Sequence, residues 1–220
     1  MVARTRTGFA VGTLASGALL CGVAGIALGA DGGNASRGET RAAELFCNIC
    51  HGPAGNSVTP QWPVLAGQQV DYLVEQLTLF RLRQRTNIEM GPLAAMLTDA
   101  DIVDLAAYYA AQTPAPGEAS APGGGDTAAS RLYADGDAAR EIVACASCHG
   151  SSGQGVIEPA QRGTALRGQQ AAYITKQLQD YAARSRYTKN GATAEQMSVI
   201  SAKLTAEEMT SLGTLLQRMR

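Results

Sequence analysis

The chain has 220 residues and a formal net charge of −1, from 18 basic and 19 acidic side chains. This length suffices for two small domains, and the nearly balanced charge gives no reason to expect a nucleic-acid partner. Glycine and alanine are abundant, whereas only 5% of the residues are aromatic. The composition therefore favours small helical domains whose cores are not built from aromatic side chains alone.

Residues 1–30 have the features of an export segment. Arg4 and Arg6 form a basic start, Phe9–Leu28 is apolar, and small residues near Ala30 offer cleavage sites. The alternative is an uncleaved N-terminal anchor, because the apolar stretch nearly reaches the roughly 20 residues that span a bilayer. We therefore expect a periplasmic protein, with peripheral association with the membrane as a further expectation.

A short predicted helix over Arg41–Phe46 leads into Cys47-Asn48-Ile49-Cys50-His51, and this pattern returns as Cys145-Ala146-Ser147-Cys148-His149. C-x-x-C-H is the attachment signature of a c-type haem. Two thiols one helical turn apart add across the porphyrin vinyl groups, and the adjacent histidine binds the iron. Apart from Cys21, the two motifs contain every cysteine of the chain, and they contain both histidines. We predict two covalently bound haem c groups, attached through Cys47, Cys50, Cys145 and Cys148.

Two other uses of paired cysteines remain open at this stage. One is a four-cysteine zinc site, although the C-x-x-C halves of such sites usually lie closer together in sequence. The other is a thioredoxin-like redox dithiol, although no βαβ pattern surrounds either motif. Export favours haem, because free thiols outside the cytoplasm tend to form disulfides.

The remainder of the first unit reads as loops and helices. Prolines and glycines over Gly52–Pro63 indicate a loop, and apolar residues at helical spacing over Val70–Phe80 predict a helix. Asn87–Pro92 reads as a second loop. Thr98 and Asp101 then resemble a capping box that opens the last helix. No strand pattern appears, so the predicted fold is all-α.

A stretch rich in proline, glycine and alanine at 114–126 predicts a linker. On either side of it lie two units that repeat one another, at 37–113 and 127–220. The matching stretches include Leu65–Gln69 with Leu166–Gln170, and Leu97-Thr98 with Leu204-Thr205, where Glu208 completes a second capping box. Self-similarity at this length indicates duplicated domains rather than a solenoid.

Each haem iron needs a second axial ligand unless it stays open, and the chain has no third histidine. Methionine is the usual soft partner and raises the reduction potential. Met90 and Met197 each lie eight residues before the threonine that opens the last helix, in what reads as a loop. The other candidates, Met96, Met209 and Met219, have no such counterpart. The predicted iron ligands are therefore His51, Met90, His149 and Met197, and no catalytic residue is predicted.

The surroundings of the first haem can also be predicted. A backbone carbonyl near Pro63 should accept the ring N–H of His51 and orient it. The equivalent position in the second unit is Thr164, so we expect the two haem environments to differ slightly. Trp62 and Tyr72 are either haem contacts or ordinary core residues.

These motifs resemble a known family, the dihaem cytochromes c4. The resemblance rests on Cys47–Ser57, Pro63–Gln68, Glu89-Met90 and their counterparts, and covers about residues 38–112 and 128–218. It implies two class I cytochrome c folds related by pseudo-twofold symmetry, with histidine and methionine on each iron. It also implies a periplasmic protein, often associated with the membrane, that delivers electrons to terminal oxidases.

The leading hypothesis is an electron carrier between a quinol-oxidising complex and a terminal oxidase, with no substrate chemistry. Axial ligands move haem potentials over about 0.8 V, and histidine with methionine belongs toward the high end. The alternative is the cytochrome subunit of a larger flavoprotein dehydrogenase, which would share the two-domain plan. A dihaem enzyme with one open iron fits less well, because its working haem often needs a histidine or cysteine that this chain lacks.

Overall fold

The structure, a computed structural model, describes residues 32–115, 127–158, 161–186 and 192–219. These residues belong to one compact unit that begins at Gly32. The predicted export segment and residues 116–126 of the predicted linker lie outside the described residues. Within the described ranges, no helix combines the length and the apolar character needed to cross a membrane.

Five helices form the first half of the described chain, with a short 3-10 turn at Pro53–Gly55. Helix α1 packs against α5, and α3 packs against both α4 and α5. Their buried faces share a core that includes Leu73, Phe80, Ile102 and Leu105. The helices are α1 (Ala35–Glu44), α2 (Cys47–His51), α3 (Val70–Arg81), α4 (Met90–Ala95) and α5 (Asp99–Ala110).

The second half repeats this arrangement with five helices of its own among the described residues. Helix α10 packs against α6 and α8, and α8 packs against α9, around a core that includes Tyr133, Ile174, Leu212 and Leu216. The predicted duplicated helical fold is confirmed. The helices are α6 (Ala128–Asp135), α7 (Cys145–His149), α8 (Ala171–Ala182), α9 (Ala192–Ser201) and α10 (Ala206–Arg218).

Side-chain caps fix where the last helix of each half begins. The Thr98 hydroxyl accepts from the N–H of Asp101, and the Asp101 carboxylate accepts in return from the N–H of Thr98. Thr205 and Glu208 make the same exchange at the start of α10. Each exchange satisfies two backbone donors that the helix itself leaves without partners. Both predicted capping boxes are confirmed.

The expectation that no strand occurs was wrong for one short element. In the second half, β1 (Val156–Glu158) pairs antiparallel with β2 (Gln161–Gly163). Strands of three residues are too short for alternation to signal them in the sequence. The hairpin packs closely on α7, because a Cβ added to Gly163 would lie 2.0 Å from the Cys148 carbonyl oxygen.

Helix α1 begins earlier than the predicted start at Arg41, because Asn34 caps it by accepting from the N–H of Arg37. Asp104 of α5, which is 4% exposed, accepts from the Asn34 N–H and from Nε of Arg37, each at 2.6 Å. The hydrogen-bonded guanidinium of Arg37 holds the pKa of Asp104 below its usual range. These bonds attach α1 to α5.

Replacing Asp104 with Ala should lower the free energy of unfolding by about 1.5–3 kcal/mol, the range for hydrogen bonds with a charged partner. Because the pKa of Asp104 is lowered by folding, this stabilisation is present above about pH 3.9 and lost as the pH falls through the folded pKa. Denaturant titration of the holoprotein measures the change. Glu44→Ala, which breaks an exposed ion pair with Arg41, should cost less than about 1 kcal/mol. Equal losses in the two variants would contradict this account.

Candidate haem site

A continuous cavity of about 1250 Å³ is lined by residues from both halves of the described chain. Pockets for drug-sized ligands usually measure roughly 300–1,000 Å³, so this cavity exceeds the usual size of a single small-molecule site. The fold brings side chains that are far apart in sequence to its walls. All eight predicted site residues line it: Cys47, Cys50, His51, Met90, Cys145, Cys148, His149 and Met197.

The cysteines and histidines come from α2 and α7, which are single short helices of five residues. Each helix ends at a glycine with positive φ, 72° at Gly52 and 82° at Gly150. A Cβ on Gly52 would lie 2.3 Å from the Asn56 carbonyl oxygen. Glycine is needed there both for the backbone conformation and for the close approach of the following loop.

The histidine rings are oriented by backbone carbonyls. Nδ1–H of His51 donates to the Pro63 oxygen at 2.9 Å, and Nδ1–H of His149 donates to the Thr164 oxygen at 2.8 Å. Because a carbonyl only accepts, Nδ1 carries the proton and Nε2 is left with its lone pair for a metal. The expected bond near Pro63 is confirmed. The second half makes the same bond without a proline.

Burial shifts the pKa of the histidines and thiols in opposite directions. It lowers the pKa of His51 and His149, which favours the neutral rings that bind metals. It raises the pKa of Cys47, and that of Cys145 to about 11. Reactive dithiols depend on a lowered thiol pKa, so the redox-dithiol alternative is disfavoured. In the described part of the chain, no group of three or more His, Cys, Asp or Glu side chains is placed to hold a metal ion, as a four-cysteine zinc site requires.

The two methionines lie on helices, whereas the sequence predicted loops. Met90 is the first residue of α4, and Met197 lies within α9. Just before α4, the Asn87 side chain accepts from the N–H groups of Glu89 and Met90, at 3.0 and 2.7 Å. Pro92 stands in the first turn, where helices tolerate its missing N–H. The proline that suggested a loop is therefore part of a helix start.

Arginine side chains cross between the two halves beside the cavity. Arg85, which is 8% exposed, donates to Gln76 Oε1 at 2.6 Å in its own half. It also donates across the interface to the Tyr173 hydroxyl at 3.0 Å and to Gln177 Oε1 at 2.9 Å. Arg85 therefore bridges both halves from a buried position.

Arg186 of the second half bonds in the same way to residues of the first half. It is 7% exposed and donates to the Tyr72 hydroxyl at 2.7 Å and to Gln76 Oε1 at 3.1 Å. The sequence carries a signal for both arginines, since each lies 13 residues after the repeated tyrosine, at 72 and at 173. The sequence analysis did not single out the two arginines, because the 13-residue spacing from each tyrosine does not show that the two halves pack together. Trp62 and Tyr72 both line the cavity.

No carboxylate among the described residues pairs with Arg85 or Arg186. Burial raises the pKa of Tyr72 to about 12. Burial also opposes ionisation of Tyr173, yet the two guanidinium groups together lower its pKa. Arg85 and Arg186 thus place two guanidinium groups on the wall of the cavity. Guanidinium groups pair well with carboxylates, and haem carries carboxylates on its propionates.

Comparison with known proteins agrees with this geometry. The family described as Cytochrome c matches residues 35–111 and 128–219. Cytochrome c4 of Thiocapsa roseopersicina is 37% identical over 189 residues, which is 84% of this chain and 92% of the relative. This chain belongs to the cytochrome c4 family. Its two domains accordingly bind two covalent haem c groups and transfer electrons.

Two further comparisons bear on the fold and on partners of this cytochrome c4. The crystal structure of reduced recombinant cytochrome c4 from Pseudomonas stutzeri is 32% identical, with a TM-score of 0.74 over 86% of this chain and 100% of that one. A thiosulfate dehydrogenase electron acceptor of Thiomonas intermedia (strain K12) is 38% identical over 134 residues, 60% of each chain. The first match shows that the two-domain fold is shared over the full length of the solved protein.

Replacing Arg85 with Gln in this cytochrome c4 should lower the reduction potentials of both haems. Loss of a buried positive charge beside the cavity favours the ferric state, which carries one more positive charge than the ferrous state. Spectroelectrochemical titration measures both potentials. Arg83→Gln, which removes an exposed charge from the same loop, should shift them much less. Equal shifts in the two variants would show that burial of Arg85 has no special effect.

Proposed function

We propose that this cytochrome c4 carries single electrons in a respiratory chain, from a quinol-oxidising complex to a terminal oxidase. When bound, the haem iron supplies the exchange of one electron between its ferrous and ferric states. The task of the chain is to hold each iron in nearly constant surroundings during that exchange. The observation that carries the proposal is the cavity lined by two thiol pairs, two imidazoles and two thioethers.

Each predicted residue has a role in this proposal. Cys47 and Cys50 attach one haem and Cys145 and Cys148 attach the other, as thioethers. His51 and His149 would hold the iron through Nε2 while the backbone carbonyls hold Nδ1–H, which sets the tautomer and the ring orientation. Met90 and Met197 would supply thioether ligands, which raise the reduction potential of a haem.

This ligand set favours a carrier over an enzyme. An iron with two protein ligands has no open position at which a substrate binds or reacts. The chain has two histidines, and both are committed to the attachment motifs. Exchange with partners then needs only brief contact at the protein surface, which polar and charged groups around the contact steer.

Met90→Ala and Met197→Ala should each remove the methionine-to-iron charge-transfer signature from one haem and leave it on the other. The affected haem should also fall in potential, because a thioether ligand raises it. Near-infrared magnetic circular dichroism and redox titration measure the two effects. Met96→Ala is the control, since Met96 is 52% exposed and does not line the cavity. Persistence of both signatures in Met90→Ala would rule out Met90 as a ligand.

A second candidate function is electron acceptor or cytochrome subunit of a dehydrogenase. The name of the Thiomonas relative states that it accepts electrons from thiosulfate dehydrogenase, and that relative matches 60% of this chain. A flavoprotein dehydrogenase is the other partner of this kind that the sequence suggested. Both candidate functions use irons whose axial positions are filled by protein side chains. The identity of the redox partner, and not the haem site, therefore distinguishes the two candidates.

Stopped-flow reduction of the oxidised holoprotein separates these candidates. One arm supplies a purified quinol-oxidising complex with quinol, and the other supplies thiosulfate dehydrogenase with thiosulfate. We expect the quinol-oxidising complex to reduce the protein at least tenfold faster at equal enzyme concentration. A faster thiosulfate arm would put the dehydrogenase role first.

We also propose that the mature protein lies in the periplasm, where residues 1–30 would direct it. Mass spectrometry of protein from fractionated cells tests this. A mature chain that begins near residue 31 in the periplasmic fraction is the expected result. An intact N-terminus in the membrane fraction would favour the anchor, and a cytoplasmic holoprotein would contradict export.

A further inference from the structure

The repeated Gly-Gln-Gln motif reaches across the interface in both directions. Val64 N–H donates to Gln169 Oε1 at 2.8 Å, and Gln169 Nε2 donates to the Val64 carbonyl at 2.8 Å. In the reciprocal pair, Gln68 Nε2 donates to the Ala165 carbonyl at 3.0 Å, and Ala165 N–H donates to Gln68 Oε1 at 3.3 Å. Each glutamine therefore binds both backbone groups of one residue in the other half.

The bound residues stand directly after the acceptors of the histidine rings. The N–H of Val64 and the carbonyl of Pro63 belong to one planar peptide group. That group accepts from Nδ1–H of His51 at its oxygen and donates to Gln169 at its nitrogen. A continuous chain of hydrogen bonds thus runs from the second half, through one peptide, to the histidine of the first half.

The same chain exists in the opposite direction. The peptide between Thr164 and Ala165 accepts from Nδ1–H of His149 and donates to Gln68 Oε1. Both glutamines are 7% exposed, so water competes little for these bonds. Each Oε1 also accepts from the N–H of the next residue at 3.0 Å, which fixes the side chain.

We propose that Gln169 is a positioning residue for His51, and Gln68 for His149, so that each half tunes the haem ligand of the other half. The inference rests on the histidine ligation proposed above. A peptide whose N–H donates to an amide oxygen is polarised, and its carbonyl becomes a stronger acceptor. A stronger bond at Nδ1–H makes the imidazole a more basic ligand. The ferric iron gains most from a more basic ligand, so each glutamine lowers the potential of the haem across the interface.

Gln169→Leu removes the chain of hydrogen bonds to His51 and puts an apolar side chain of similar size in the place of the amide. The potential of the haem bound by His51 should rise, and that of the haem bound by His149 should move much less. In the reduced holoprotein, Nδ1–H of His51 should exchange with deuterated solvent faster than in wild type, measured by NMR. Gln68→Leu should show the mirror-image result. Met90→Ala and Met197→Ala assign each potential to its haem.

Gln170→Leu is the matched control. Gln170 Nε2 crosses the same interface and donates to the Ser57 carbonyl at 2.6 Å, but this carbonyl accepts no histidine ring. Loss of this hydrogen bond should weaken the packing of the two halves. It should neither raise the reduction potential of the haem bound by His51 nor speed the exchange of Nδ1–H of His51. Shifts of equal size in Gln169→Leu and Gln170→Leu would mean that the glutamines only hold the halves together, and would overturn the proposal.

Gln169→Glu keeps an oxygen that can accept from Val64 N–H. Its negative charge lowers the potential by itself, so exchange is the useful measurement. Nδ1–H of His51 should exchange as slowly as in wild type, even if Gln169→Leu folds too poorly to be studied. Faster exchange in Gln169→Glu would contradict the proposal. The test also separates this inference from the proposed function. If wild-type His51 shows no iron-shifted NMR signals, the ligand assignment itself fails, whatever the glutamine variants do.

Discussion

The architecture depends on a hydrogen bond that each histidine ring makes to a backbone carbonyl. That bond fixes the proton on Nδ1, leaves Nε2 with its lone pair, and holds the ring toward a cavity. It needs a loop that returns past the attachment helix with its carbonyl in the right place. The glycines at the ends of α2 and α7 adopt the positive φ that this loop path requires. The helical cores of the two halves support the loops.

Duplication then supplies the second constraint, which is a buried interface made of polar groups. Arginine, tyrosine and glutamine side chains from equivalent positions cross it in both directions. Buried polar groups are costly unless all of them find partners. A nearly complete network fixes one relative placement of the two halves, and with it the relation between the two haem sites. Two buried guanidinium groups also lie at this interface, where they suit a cofactor that carries carboxylates.

Local patterns predicted much of this fold because caps, helical spacing and the C-x-x-C-H motifs are local. Thr98 and Thr205 begin helices as expected. The two methionines predicted as ligands from their register to those threonines both line the cavity. The start of α4 was missed because Pro92 indicates a loop unless the hydrogen bonds that Asn87 accepts from Glu89 and Met90 are known. The crossings by Arg85, Arg186, Gln68 and Gln169 were missed for a different reason. Their repetition was visible, but a repeat does not reveal which surfaces of two domains meet.

The proposed carrier role requires that protein ligands fill both axial positions of each iron. A reductive titration of the purified holoprotein, with a pyridine haemochrome count and exposure to carbon monoxide, tests this requirement. We expect two c-type haems and two electrons per chain, low-spin iron in both oxidation states, and no rapid binding of carbon monoxide. One high-spin iron that binds carbon monoxide readily would contradict it and would make an enzyme the better interpretation.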